Sequence, residues 1–443
     1  MDMNAGFTEH IDVERLKGKF LEVYGESPGE IHVFFAPGRV NLIGDHVDYN
    51  GGYVLPVALS IGIFAAVRYS ETVFGRTGSG SSGRSLGKAE VIHLASINEW
   101  GKTSVDLSEH VGYEASRGWA NYPVGVIRQL RQEQTGHIDI DCDFKGCQVL
   151  YWGNLPVGAG LSSSAAIEVL TAYFMLHPVL GGNLSSVDRI WLAQLCQRAE
   201  NDFVQVQCGI MDQFAVAMGK KNHAMLLDCS ALDYRYVPVR LCDYRLVIMN
   251  TGKRRSLGES RYNQRRAECE EALAVIRSHP GYAHIENLAQ AEIEQVERTF
   301  GLRSPRLKHG LANYSKMGEP VLGRRARHVV TENLRTLLAE QLLSTGDVAG
   351  FGRLMTESHI SLRDDYEVTG FELDSIVEAA LSQECCLGAR MTGAGFGGCA
   401  IALVRSDCCD AFEAIVGEEY FAKTGLEADF IVCEIEDGAR RLQ

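Results

Sequence analysis

The apolar positions of this chain change period several times, and each change predicts an element. Residues 11–24 carry the spacing of an amphipathic helix. IHVFFAPGRVNLIG (31–44) opens as a strand and breaks at Pro37-Gly38, and YVLPVALSIGIFAAVRYS (53–70) is rich in strand formers. VIHLASIN (91–98), HIDIDCDF (137–144) and CQVLYWGN (147–154) predict further strands, the last two paired. Then the period lengthens. Ala166, Ile167, Leu170, Phe174 and Met175 share one helical stripe, so a helix begins within the preceding serine run. Residues 185–202 predict a second helix with Leu192, Leu195, Cys196 and Ala199 on its apolar face, and with Ser185 as N-cap ahead of Asp188. Strands return at 223–230 and 244–251, helices at about 260–278 and 320–344. GARMTGAGFGGCAIALV (388–404) reads as a glycine-rich turn feeding an apolar strand.

This alternation is an α+β pattern without a fixed repeat, and it divides between residues 220 and 240. The segment FGRTGSGSSGRSLGK (74–88) is low in complexity and reads as a surface loop joining two strands, with no function expected of it.

Charge and cysteine content narrow the classes. A net charge of −14 argues against a nucleic-acid surface. The short basic run Arg324 to His328 reads as a helix face rather than a polyanion site. Thirteen cysteines would suggest disulfides in a small secreted chain, but here they are scattered, odd in number and without a C-x-x-C pair. No apolar signal segment and no 18-residue apolar stretch stands in the sequence, so a cytoplasmic, reduced protein with no membrane partner is expected.

Three glycine-rich segments carry the candidate chemistry. LPVGAGLSSSAA (155–166) has the small residues of a phosphate cradle but lacks the lysine of a P-loop. Backbone N–H groups at Gly158 and Gly160, the following helix N-terminus and the hydroxyls of Ser162, Ser163 and Ser164 suit phosphate or a divalent cation. A serine-capped helix after a flexible turn fits the same residues. APGRVNLIGDHVDYNGG (36–52) crowds Arg39, Asp45, His46 and Asp48 into one turn-rich stretch, which suits a ligand with many hydroxyls or, more plainly, a solvated turn. MTGAGFGGCAIAL (391–403) is a turn that packs against a backbone or a ligand. CGIMDQFAVAMG (208–219) places Asp212 among apolar neighbours, either as a helix cap or facing a reacting hydroxyl.

Taken together these stretches resemble the galactokinases within the GHMP kinases. GRVNLIGDHVDYN is similar to the galactokinase signature, LPVGAGLSSSAA to the superfamily's phosphate loop and MTGAGFGG to its third motif. CGIMDQF, KRRSLGESRYNQRRAECEEAL and SLRDDYEVTGFELD extend the likeness to about residues 15–435.

The resemblance implies a two-domain GHMP kinase fold with the active site in the interdomain cleft. Residues 1–230 would hold the sugar signature and phosphate loop. Residues 231–443 would form the C-terminal domain, its last strands crossing back toward the first. The implied reaction is ATP-dependent phosphorylation of galactose at the C1 hydroxyl, the first committed step of galactose catabolism (the Leloir pathway). By the same resemblance Asp212 matches the catalytic aspartate, and Arg39 sits beside it and the migrating phosphoryl group. Arg39, Asp45, His46, Val47, Asp48, Gly209, Asp212 and Tyr262 match sugar-binding positions. Gly158, Ala159, Gly160, Leu161, Ser162, Ser163 and Ser164 match the triphosphate loop, and Ser96 a nucleotide contact. Ser164 and Glu200 match the ligands of Mg2+.

Two departures from the family pattern stand out: Asp45 where glutamate is more common, and Gln205 where glycine is common. Asp212 is implied either as a full general base or mainly as a positioning anion. The partners implied are galactose and ATP, with a monomer or weak homodimer. The rival readings are a kinase for N-acetylgalactosamine or another sugar, and a non-catalytic galactose-sensing regulator. The intact Ser164-Ala165-Ala166 favours an enzyme over the regulator.

Overall fold

A computed structural model gives the fold of residues 12–70, 91–99, 101–107, 111–132, 146–156, 158–180, 186–253, 258–302 and 318–443. The strand expected at 137–144, the N-cap expected at Ser185 and the loop expected at 74–88 lie outside the described residues. In chain order the first half runs α1 (Val13–Tyr24), β1 (His32–Asn41), β2 (Tyr53–Val54), β3 (Pro56–Tyr69), β4 (Val91–Ser96), β5 (Lys102–Asp106), α2 (Asn121–Gln132), β6 (Cys147–Gly153), α3 (Ser163–Leu180), α4 (Ser186–Arg198), α5 (Met211–Met218) and β7 (His223–Asp228). The second half runs β8 (Tyr234–Pro238), β9 (Tyr244–Asn250), α6 (Gly258–Arg277), α7 (Ile293–Phe300), α8 (Val321–Thr345), α9 (Val348–Ser361), α10 (Phe371–Leu381), β10 (Cys386–Met391), β11 (Cys399–Arg405), α11 (Cys409–Thr424), β12 (Asp429–Cys433) and β13 (Arg440–Arg441).

A six-stranded sheet, ordered β13-β1-β3-β6-β4-β5, organises the first half. All its pairs are antiparallel except β4 with β6. Helices cover both of its faces, which is why its inner strands read as nearly continuous apolar runs. Val33 and Leu150 pack with Leu16 and Phe20 of α1 on one side, while Phe34 packs with Phe174 of α3 on the other. Asp12 caps α1, its side chain accepting from the Arg15 N–H at 2.8 Å.

A four-stranded antiparallel sheet, β10-β11-β9-β12, organises the second half. The segment expected as a turn from residue 388 is already strand: Gly388–Met391 belongs to β10, and the glycine turn of 392–398 links it to β11. A third sheet, β2-β7-β8, packs against α8, and its hairpin β7–β8 runs across residue 231. The end of the chain returns to the first sheet. Leu59 bridges Ile435, and β13 pairs with β1 through Phe34 and Arg441.

The basic run Arg324 to His328 is one turn of α8, but it is buried rather than solvated. Arg325 and Arg327 are paired with Glu268, Glu319, Asp365 and Glu367. The twelve cysteines in the described residues are all free thiols. Among the described residues no helix is long and apolar enough to cross a membrane.

Candidate active site

The strand β1 pairs with β3 across a bulge between Pro37 and Arg39, which re-aims Arg39. Helices α3 and α5 pack on this strand, so three segments distant in sequence meet around one guanidinium. Arg39 Nε donates to Asp212 Oδ1 and Nη2 to Oδ2, both at 2.8 Å, and Nη1 donates to the Gly160 carbonyl at 2.7 Å. The Ser162 hydroxyl donates to Asp212 Oδ2 at 2.5 Å. Asp212 does not cap its helix. It lies in the first turn of α5, where the positive helix end favours its charge.

A cavity of about 630 Å³ opens over this pair. Arg39, Asp45, His46, Asp48, Ser164, Glu200, Gly209, Asp212 and Tyr262 all line it. Other expected residues stand elsewhere. Val47 is buried in the core, its carbonyl accepting from the Asn50 and Gly52 N–H groups. Ser96 ends β4 opposite Tyr151, and its hydroxyl oxygen accepts from the Glu99 N–H. In the serine loop, Gly158 and Ser163 are exposed, Ala159 and Leu161 are buried, and Gly160 and Ser162 hold Arg39 and Asp212 as described.

The turn of residues 44–52 is pinned from the second half of the chain. The Gly44 N–H donates to Glu332 Oε1 at 3.0 Å. Gly44 has φ +97°, and a Cβ there would meet the Tyr53 carbonyl at 2.6 Å, so only glycine fits. Glu332 is fully buried on α8. It also accepts from the Ser358 hydroxyl at 2.5 Å and from Arg335 Nε at 2.8 Å. Burial works against its charge, but Arg335 and Arg390 hold its carboxyl down at about 2.

Asp45 faces Arg390 Nη2 at 2.5 Å, and its Oδ1 accepts from the Gly393 N–H at 3.1 Å. Burial raises the Asp45 carboxyl, and Arg390 opposes that. One methylene shorter than the usual glutamate, this carboxylate is tied to β10 and to the third glycine turn.

The electrostatics of the cavity wall follow from crowding. Burial, then the charge of Asp212, pushes Asp48 up to about 7. Glu200 is raised to about 7 by the same two causes, against hydrogen bonds from Cys208, Ser164 and Gln213. His46 is pushed down to about 3 by burial and nearby positive groups, so its ring is neutral.

Glu200 sits in a π turn, Ala199–Val204, that interrupts the end of α4. Gln205 closes this turn at φ +69°, the left-handed backbone that glycine adopts without strain. His46 and Ser162 also have positive φ, at 65° and 62°.

Several wall residues escaped the sequence reading. Tyr49, Tyr122, Gln207, Cys208, Met211 and Asn263 also line the cavity. Gly393 and Ala394 reach it too, and the third glycine segment was their signal. Behind the wall, Gln213 Nε2 donates to Glu200 Oε2 at 2.6 Å and to the buried Glu168 Oε2 at 3.0 Å.

A family model described as the galactokinase galactose-binding signature matches residues 18–69, over the strand and turn that carry Arg39 to Asp48. The GHMP kinases N terminal domain matches residues 121–220, and the GHMP kinases C terminal matches residues 337–414. Galactokinase from Clostridium beijerinckii is 43% identical over 434 residues, 98% of this chain and 100% of that protein. The chain belongs to the galactokinase family. Galactokinase from Bacillus subtilis is 42% identical over 97% of this chain and 99% of its own. The crystal structure of Lactococcus lactis galactokinase complexed with galactose superposes with a TM-score of 0.81. It is 40% identical and covers 97% of this chain and all of that one. Mevalonate kinase from Methanococcus jannaschii, at 16% identity and a TM-score of 0.58, shares the fold with this galactokinase-family chain.

Proposed function

We propose that this chain transfers the γ-phosphoryl group of ATP to the C1 hydroxyl of galactose, giving galactose 1-phosphate and ADP and opening galactose catabolism. The observation that carries this reading is the Arg39–Asp212 pair, which lines one cavity together with Asp45, Asp48 and Glu200.

Phosphoryl transfer relies on positioning and charge stabilisation more than on covalent help. Three of the roughly four lone-pair positions of Asp212 are filled by Arg39 and Ser162. The remaining one, on a side chain 27% exposed to the cavity, accepts the C1 hydroxyl. That hydroxyl oxygen bonds to the γ-phosphorus as the bond to the β,γ-bridging oxygen breaks. Its proton leaves to Asp212 or, with Asp212 as a positioning anion, to solvent. Arg39 stabilises the charge that spreads over the moving phosphoryl group.

Asp45, His46, Asp48, Gly209 and Tyr262 are assigned to the sugar, Val47 to the packing behind them. Residues 158–164 are assigned to the triphosphate. Ser96, at the end of β4, is assigned to the nucleotide as well. Residues 1–230 and 231–443 are the two functional halves, with β8 and the returning tail tying them together.

Ser164 and Glu200 suit Mg2+. Both line the cavity, they hydrogen-bond each other, and both offer oxygen donors to a cation that takes few protein ligands. Bound with ATP, Mg2+ would neutralise phosphate charge that a P-loop lysine otherwise balances. A cytoplasmic, monomeric or weakly dimeric enzyme completes the reading.

ADP release by the purified chain with ATP and Mg2+, across galactose, N-acetylgalactosamine, glucose and arabinose, tests it. Turnover on galactose alone supports the proposal. Turnover on another sugar moves the substrate assignment, and tight galactose binding without turnover identifies a sensing regulator.

A further inference from the structure

Two buried acids meet at one amide beside the cavity. Gln213 Nε2 lies 2.6 Å from Glu200 Oε2 and 3.0 Å from Glu168 Oε2. The three side chains come from three elements: α5, the π turn that ends α4, and α3. Gln213 and Glu168 are fully buried and do not line the cavity, whereas Glu200 does. Gln213 follows Asp212 directly, so the first turn of α5 sends one side chain into the cavity and the next behind its wall.

An amide NH2 has two protons, and the two carboxyl oxygens take both. A cation ligand is an ionised carboxylate, which accepts and never donates, so the amide must turn its NH2 to Glu200. Glu168 accepts through Oε2 in either charge state, because a neutral carboxyl keeps one bare oxygen. The amide oxygen Oε1 is buried without a hydrogen-bond partner, so it is the donor end that acts. Cys208 Sγ stands farther from the amide, at 3.8 Å. Glu200 has two other donors. Ser164 is one, but its oxygen is itself assigned to the cation. The Cys208 thiol is the other, and its one proton serves two acceptors, Glu200 Oε2 and Asn201 Oδ1, each at 3.4 Å. Of the three, Gln213 is the donor that stands outside the cavity with a proton for Glu200 alone.

We propose that Gln213 is a positioning residue for the cation: its amide ties Glu200 Oε2 to the back of the wall and leaves Oε1 for the metal. Without the amide, two carboxyls would share the gap with no donor between them, and Glu200 would turn to find another. The same short helix then fixes both Asp212 and the metal ligand. This inference rests on the reading of Glu200 as a Mg2+ ligand.

The test is calorimetry on the full chain, with the Kd of ATP measured in Mg2+ and in EDTA. The ratio of the two is the factor by which Mg2+ tightens ATP binding. Gln213→Met keeps the length of the side chain and removes both donors. It should lower that factor about tenfold, the effect expected when the hydrogen-bond partner of a metal ligand is lost, and toward the value of Glu200→Gln. The Kd of galactose and that of ATP in EDTA should stay within about two-fold, since neither involves the tie. In a Glu200→Gln background, Gln213→Met should add nothing to the loss.

An unchanged factor in Gln213→Met, where Glu200→Gln lowers it, overturns the inference. So does a Gln213→Met loss that persists at full size in the Glu200→Gln background, or one that weakens galactose and metal-free ATP binding as much. If Glu200→Gln itself leaves the factor unchanged, the metal assignment falls and takes this inference with it. Should Gln213→Met unfold, Gln213→Asn keeps an amide in the gap and draws it back from Glu200 by one methylene. It should lower the factor in the same direction, and an unchanged factor there would overturn the inference equally.

Discussion

Arg39 grips Asp212 with two parallel hydrogen bonds of 2.8 Å across 173 residues of sequence. Such a bidentate fork sets orientation as well as charge. Arg39→Lys keeps the charge but loses the fork, and should lower kcat more than it raises the galactose KM. Asp212→Asn should leave galactose binding within a few-fold and lower kcat on the order of 10²-fold or more. Steady-state kinetics with calorimetric sugar binding check both, and near-normal turnover in Asp212→Asn would remove its assigned role.

At Gly209 a Cβ would overlap the Asp48 carboxylate, so any larger residue must push that side chain aside. Gly209→Ala should raise the galactose Kd about tenfold or more by displacing Asp48, a loss of roughly 1.4 kcal/mol. The KM for ATP should hold. An unchanged galactose Kd would show that Asp48 moves freely and does not set the sugar's place.

Glu332 should carry much of the stability that couples α8 to the turn of residues 44–52. Its folded pKa, about 2, lies below the ordinary 4.5, so its contribution is present above about pH 4.5 and is lost as pH falls toward 2. Glu332→Gln leaves Arg335 and Arg390 short of a buried partner, and should cost about 3–5 kcal/mol near neutrality. Urea unfolding at pH 7 and pH 4 checks this, and the deficit should shrink at the lower pH. A deficit that stays constant would place the cost in packing rather than in charge.

Asp48 has the opposite sign. Its carboxyl is raised from 3.8 to about 7, so the folded state holds that proton more tightly, and stability from this group falls as pH rises from about 4 to 7. Asp48→Asn cannot ionise and escapes the loss. Its stability relative to wild type should therefore climb across that window, by about 1–2 kcal/mol for a partly exposed group. Melting curves of both proteins from pH 4 to pH 8 measure the difference. A flat difference would mean that Asp48 titrates in its ordinary range.

Glu200→Gln should weaken the rise in melting temperature that Mg2+ adds on top of ATP, and should raise the Mg2+ concentration needed for half-maximal turnover. ATP alone should stabilise both proteins alike. Equal Mg2+ responses would exclude Glu200 as a ligand.

The sequence was most informative where the site is written in contiguous stretches. The residues from Arg39 to Asp48 and those around Ser162 show their chemistry by composition and order. Gln205 stood out as a glycine position, and the reason is its left-handed backbone at φ +69°. Supports that come from far along the chain were silent. Glu332 reaches Gly44 across 288 residues, and in sequence it is one more acid on a helix. The two residues of β13 are too few to show a period, so the return of the last strands came from the family resemblance and not from spacing, while the five of β8 end at a proline and were not expected.

The pairing of β13 with β1 bears on how the protein comes off the ribosome. Chains fold from the N-terminal end as they are made, so β1 is translated early, together with Arg39. Until Arg440 and Arg441 appear, one side of that strand is an open edge able to recruit another chain. Nascent molecules crowded on one messenger would share this vulnerability, and release from the ribosome would end it. A fusion partner that holds back the last residues should then promote aggregation of an otherwise intact protein, whereas one at the start of the chain should not.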